Sequence, residues 1–148
     1  MQSFVAVVFL VFGVLLHQSQ GAAYTDEEHL NFRQKCSKIL QISPDTRQEV
    51  TKKNFLNDNQ EMNCMIRCVG ILSGFYDDET GTNWDQVASE LENKPESYDE
   101  HRQATAACIE AIPKEEYASD VCKKASVNFR CHSKSIRAIR ARALANQE

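Results

Sequence analysis

Three prolines and five glycines are all that 148 residues contain. That is too few for a turn-rich β-sheet chain and far from a collagen-like one. A positive charge excess is missing too. The 17 Lys and Arg face 21 Asp and Glu, for a net charge of −4, which argues against a generally basic nucleic-acid binder. No Gly-x-Ser-x-Gly elbow and no His-Glu-x-x-His pair occurs, nor a metal-binding loop with a His-Asp pair beside the cysteines, so an enzyme is not expected. The absence of an Asn-x-Ser/Thr sequon removes the expectation of N-glycosylation. No apolar run reaches the roughly 20 residues that cross a bilayer. What remains, with a hydrophobic share of 42%, is enough for one packed domain.

The N-terminus sets the compartment. Phe4 to Leu16 is an unbroken apolar stretch, too short to span a membrane and of the length of a signal-peptide core. Small residues at Ser19, Gly21 and Ala23 allow cleavage after Gly21 or Ala23. No Lys or Arg precedes the apolar core; the terminal amine supplies the charge. The competing reading is a buried N-terminal helix. The expected organisation is therefore a signal peptide over 1–21, with cleavage after 23 as the variant, and one secreted, extracellular domain over 22–148.

That domain reads as all-α, with about six short helices. Thr25 and Glu28 match a capping box, and Phe32, Cys36, Ile39 and Leu40 then recur at helical spacing, predicting a helix over 26–41. Ser43-Pro44 starts a second, short and polar, on the surface to about Lys53. Asn57 or Asp58 caps a third. There Met62, Met65, Ile66, Val69 and Leu72 form one apolar stripe, and Cys64, Cys68, Ile71 and Phe75 a second. Asn63, Arg67 and Gly70 mark a narrow polar face, the pattern of a centrally buried helix. The run from Asp77 to Gly81 reads as a solvated break, since it lacks the ligand spacing and closing Glu of a calcium loop. Asn83 caps a fourth helix with Trp84, Val87 and Leu91, ended by Asn93-Lys94-Pro95. Ser97 and Glu100 form a capping box for a fifth carrying Ala104, Cys108, Ala111 and Ile112. A sixth begins near Glu115 with Val121, Cys122, Ala125 and Phe129 on one face. No strand-like alternation of useful length is present.

The cysteines are Cys36, Cys64, Cys68, Cys108, Cys122 and Cys131. In a secreted chain they suggest three disulfides. A metal cluster is the competing reading, weakened by the absence of a paired C-x-x-C knuckle; no metal or other cofactor is expected. Cys64 and Cys68 stack on one helix face with parallel side chains. Cys122 and Cys131 would lie about 13.5 Å apart on one helix and half a turn out of phase. Excluding both pairs leaves ten of the fifteen possible pairings. In all ten, the third helix is stapled to two cysteines outside itself.

The spacing C-x27-C-x3-C-x39-C-x13-C-x8-C, after a signal peptide and in a helical chain, resembles the insect odorant-binding proteins, the six-cysteine pheromone and general odorant-binding family. The resemblance covers essentially the whole mature chain and is carried mainly by the x3 and x8 intervals. It implies the bonds Cys36–Cys68, Cys64–Cys122 and Cys108–Cys131, and converging helices around an internal apolar cavity. It also implies carriage of odorants, pheromones or fatty-acid-like molecules through extracellular fluid, with olfaction as one setting. As partners it implies a small hydrophobic ligand and a chemosensory receptor. The chain would be a monomer or weak homodimer. The candidate cavity wall is Met65, Val69, Leu72, Phe75, Tyr76, Trp84, Val87, Ala104, Ile109 and Phe129. Methionine suits an adaptable pocket, and Tyr76 could give a hydroxyl to a polar ligand end or turn it to water. Residue by residue, ordinary core packing is the rival.

Two features stand apart. His132, beside Cys131, is the candidate for protonation that opens the site, against the simpler reading of a surface imidazole. The charge is also uneven: 10 basic and 20 acidic residues run up to Cys122, seven basic and one acidic from Lys123 onward. In the basic tail over 132–148, Ile136, Ile139, Ala143 and Leu144 fall at helical spacing among Lys134, Arg137, Arg140 and Arg142. The pattern fits an extension of the last helix, free or docked on the acidic body, and four cations argue against deep entry into the cavity. The alternative function is a lipid- or membrane-interacting defence protein acting through this amphipathic tail. N-terminal sequencing of the secreted chain should start at Ala22 or Tyr24; a start at Met1 would contradict the signal-peptide reading.

Overall fold

Helix ends leave backbone amides without partners, and side chains next to each start satisfy them here. The structure, a computed structural model, describes residues 23–90 and 95–145; the expected signal peptide, and Leu91, Asn93 and Lys94, lie outside the described residues. The described elements are α1 (Asp26–Ile39), α2 (Pro44–Thr51), α3 (Gln60–Leu72), β1 (Tyr76–Asp77), β2 (Gly81–Thr82), α4 (Trp84–Glu90), α5 (Pro95–Glu110), a 3₁₀ turn (Lys114–Glu116) and α6 (Val121–Ala145).

At α1 the capping box forms in both directions. The Glu28 amide donates to Thr25 Oγ1 at 3.2 Å and the Thr25 amide to Glu28 Oε2 at 2.8 Å. The helix stops at Ile39, before the predicted end at 41, because Gln41 takes a left-handed conformation at φ 50°. Ser43 caps α2 by accepting from the Thr46 amide. This helix is not wholly on the surface: Thr46 and Val50 are buried, and the hydroxyls of Ser43 and Thr46 both donate to Glu61 of α3.

The cap of α3 is Asn59, whose Oδ1 accepts from the Met62 amide at 2.8 Å, rather than Asn57 or Asp58. Asp58 is taken by other partners: Asn63 Nδ2 at 3.0 Å and the ammonium of Lys123 on α6. Met62, Met65 and Ile66 of α3 form the core with Cys36, Ile42 and Val50. The face predicted as polar is covered. Asn63 is 3% exposed, Arg67 pairs with Asp78, and Gly70 lies so near Tyr76 that a Cβ there would sit 2.9 Å from the tyrosine Cβ. A short hairpin covers the Arg67 and Gly70 end of this face. Tyr76 and Asp77 pair antiparallel with Thr82 and Gly81, and Asp77 Oδ1 accepts from the amides of Glu79 and Thr80. The acidic run is thus a structured turn, closed by Gly81 at φ 82°.

Asn83 caps α4, accepting from the Asp85 and Gln86 amides. Ser97 falls inside α5 rather than at its cap. The last helix starts later than Glu115, which lies in the 3₁₀ turn. Asp120 caps it instead, accepting from the Cys122 and Lys123 amides at 2.8 and 3.0 Å. Val121, expected on the buried face, is 49% exposed. From there α6 runs unbroken for 25 residues.

Three disulfides join the helices: Cys36–Cys68 links α1 to α3, Cys64–Cys122 links α3 to α6, and Cys108–Cys131 links α5 to α6. Each contributes about 2–4 kcal/mol by restricting the unfolded chain. The exposed ion pairs contribute little beside them. The protein is all-α but for the hairpin, with six helices and three disulfides among the described residues. Gly70→Ala should lower stability by about 1–3 kcal/mol through overpacking against Tyr76. A urea-unfolding midpoint equal to wild type would contradict that contact.

Candidate functional site

α3, α4 and α6 turn apolar residues toward a common space beside α1. A partly enclosed cavity of about 350 Å³ remains there, within the usual size of small-molecule pockets, ~300–1,000 Å³. From α3 come Ile66 and Val69, from α4 Val87, and from α6 Ala125 and Phe129. Phe55 meets Phe129 edge-on with ring centroids 5.6 Å apart. Phe75 adds a further ring, stacked on His29 at 6.3 Å.

The wall is mainly apolar in area, but half of its residues carry polar side chains. Tyr76 is 7% exposed and its hydroxyl has no hydrogen-bond partner among the described residues. Burial pushes its phenol up to about 12, so it stays neutral. On α1, His29 and Arg33 stand one turn apart on the wall. His29 Nε2 is 3.7 Å from Glu90 Oε1, which accepts from the Tyr24 amide at 2.7 Å. Arg33 Nε is buried without a partner.

The basic tail also takes part. His132, Ile136 and Arg140 follow at four-residue intervals on α6, and all three line the cavity. The helix stays continuous to Ala145, and Arg142 pairs with Glu100 of α5. The extended, body-docked reading therefore describes the tail, with one addition: its inner face is part of the wall. His132 is not a surface imidazole. Its Nδ1 lies 2.8 Å from His101 Nε2, and His101 Nδ1 lies 2.8 Å from Ser135 Oγ. His101 is fully buried. Burial, and then the neighbouring His101, push His132 down to about 4; burial lowers His101 as well.

Of the residues singled out from sequence, Val69, Phe75, Tyr76, Val87 and Phe129 meet on the cavity. Met65 does not; it is fully buried in the core beside Cys36. Leu72 is 43% exposed near the end of α3. Trp84 faces an outer groove with Tyr98 and Arg102, its ring edge-on to Tyr98 at 6.1 Å and beneath the Arg102 guanidinium at 5.9 Å. Ala104 is exposed and Ile109 half-buried, both off the cavity. The reason lies in α5. It turns His101, Thr105 and Cys108 toward α6, and Ala104 and Ile109 stand off that line. Sequence reasoning missed His29, Arg33, Ile136 and Arg140. The four-residue spacing from His132 to Arg140 was the available signal.

A disulfide-stapled helical fold around a small apolar cavity defines a class, the small-ligand binding carriers. Within that class, residues 21–135 match the PBP/GOBP family, and the chain belongs to this family of odorant-binding proteins. The fold is similar to that of the crystal structure of Anopheles gambiae odorant-binding protein 22a, at a TM-score of 0.55 and 23% identity, covering 72% of this chain and 98% of that one. Among curated protein sequences no significant match is found.

The histidine pair has a thermodynamic consequence. A folded-state value near 4 for His132 lies below the unfolded value near 6.5, so the unfolded chain takes up the proton first as pH falls. The contribution of the neutral His132 to stability is full above pH 6.5 and declines toward pH 4. The urea midpoint should fall across that window, and fall less in His132→Gln. A wild-type midpoint that stays flat from pH 6.5 to 4 would contradict the buried, neutral pair.

Proposed function

We propose that this chain is a secreted carrier that binds one small hydrophobic molecule in the cavity between α1, α3, α4 and α6 and moves it through extracellular fluid. The observation that carries the reading is the cavity of about 350 Å³ with a mainly apolar wall. Apolar surface facing an enclosed space gains from any ligand that displaces water there, and a few polar groups orient it. Val69, Phe75, Val87 and Phe129 are the apolar contacts. Tyr76 gives its unpartnered hydroxyl to a ligand acceptor, an unmet bond of the kind that costs free energy while it is buried. The carrier works as a monomer or weak homodimer and delivers its cargo toward a chemosensory receptor.

Support for this reading over a membrane-acting tail comes from α6 itself. Ile136 faces the cavity and Arg142 is paired with Glu100, which leaves the tail fewer apolar and cationic groups for lipid. N-phenyl-1-naphthylamine should bind saturably at one site per chain. Val69→Trp, which places an indole in the cavity, should weaken that binding at least about tenfold while helicity and the three disulfides persist. Equal affinity in wild type and variant would contradict the assignment of the cavity, and leakage of anionic vesicles by the pure protein would favour the membrane reading.

A further inference from the structure

Polar groups on the cavity wall differ in what they can offer a ligand. Arg33 and Arg140 only donate hydrogen bonds. Asn128 is already engaged, its Nδ2 donating to the Lys124 carbonyl at 2.9 Å and its Oδ1 facing Thr82 Oγ1 at 3.4 Å. His132 is different, because it ends a chain of hydrogen bonds that runs into the protein. Ser135 Oγ faces His101 Nδ1, His101 Nε2 faces His132 Nδ1, both at 2.8 Å, and Ser135 Oγ also lies 3.4 Å from the His101 carbonyl oxygen. Every polar side-chain atom along that chain has a protein partner except the last. His132 Nε2 has none among the described residues, and its residue lies on the cavity wall.

We propose that Ser135, His101 and His132 form a hydrogen-bond relay that lets His132 Nε2 serve as donor or as acceptor to the bound ligand, so that the cavity takes neutral ligands with either a carbonyl oxygen or an N–H or O–H at this place. The inference deepens the carrier reading and rests on it.

Both arrangements are complete. In the donor form the Ser135 hydroxyl donates to His101 Nδ1, His101 Nε2–H donates to His132 Nδ1, and His132 Nε2–H donates to a ligand carbonyl. In the acceptor form a ligand N–H or O–H donates to His132 Nε2, His132 Nδ1–H donates to His101 Nε2, and His101 Nδ1–H donates to Ser135 Oγ. The Ser135 hydroxyl then turns to the His101 carbonyl. Each ring carries one proton and Ser135 one proton in both forms, so the protein's charge is unchanged. Ring protons exchange with water before the ligand enters. A lone imidazole can also choose its tautomer, but here His132 Nδ1 is held against His101, so the two rings must change together. The buried Ser135 makes both states affordable, because its hydroxyl can donate in one and accept in the other.

The test uses the full mature chain, labelled with 15N at histidine, at pH 7.5. Long-range 1H–15N spectra separate protonated from bare ring nitrogens. The two probes are 2-octanone, which only accepts, and indole, whose N–H only donates. The expected result is that 2-octanone moves both His101 and His132 to the Nε2–H tautomer and indole moves both to Nδ1–H, while each displaces N-phenyl-1-naphthylamine. In His132→Phe, 2-octanone and indole each lose about five- to tenfold in affinity relative to octane measured on the same variant, the worth of one hydrogen bond. Displacement of the naphthylamine with unchanged tautomers overturns the relay and leaves the carrier reading standing. A change in His132 alone overturns it as well. If neither probe nor octane displaces the naphthylamine, both readings fall.

Discussion

The pinning of α6 at two points is the constraint on which the rest of this structure depends. Cys122 ties it to α3 and Cys131 ties it to α5, while Cys68 ties α3 in turn to α1. Two bonds at different positions along one rigid helix fix both its position and its rotation. The inner face of α6 is therefore directed at α3 along its N-terminal half, where Ala125 and Phe129 line the cavity, and continues outward through His132, Ile136 and Arg140. A core left open loses packing energy. Cross-links that restrict the unfolded chain offset that loss without filling the space.

Electrostatics follow the same geometry. The small net charge hides an acidic body and a basic last helix, and α6 is where they meet. Lys123 pairs with Asp58, Lys124 Nζ donates to the Asp78 carbonyl at 2.7 Å, and Arg142 pairs with Glu100. These are partly exposed contacts of modest worth. Lys123 is the first cause holding the Asp58 carboxyl below the usual range, and Arg67 does the same for Asp78. Two groups on the inner face answer to burial instead, which keeps His132 and Tyr76 neutral.

Much of this was legible in the sequence because local signals and global fold agree. Thr25 with Glu28, Ser43 with Pro44, and Asn83 all stand where helices begin. Helical spacing of the apolar residues carried the all-α fold, and the six-cysteine spacing carried the disulfide pairing and the cavity through its family resemblance. Other features were hidden because they depend on partners distant in the chain. Asn59 caps α3 while Lys123 and Asn63, one of them distant in the chain, occupy Asp58. The hairpin at Tyr76 is two residues per strand, too short for any alternation to register. Trp84 and Ala104 looked like cavity wall by apolarity, yet the wall is decided by which face each helix turns inward. Apolar spacing shows that a helix has an inner face without saying whether that face meets core or cavity, and so Met65 and Val69, one turn apart on α3, end in different places.

The most direct test of the central claim is a crystal structure of the mature chain with N-phenyl-1-naphthylamine bound. The account predicts one molecule per chain, enclosed between α1, α3, α4 and α6 and touching Val69, Phe75 and Phe129. A molecule bound instead in the outer groove beside Trp84 and Tyr98, with the inner cavity closed over, would contradict it.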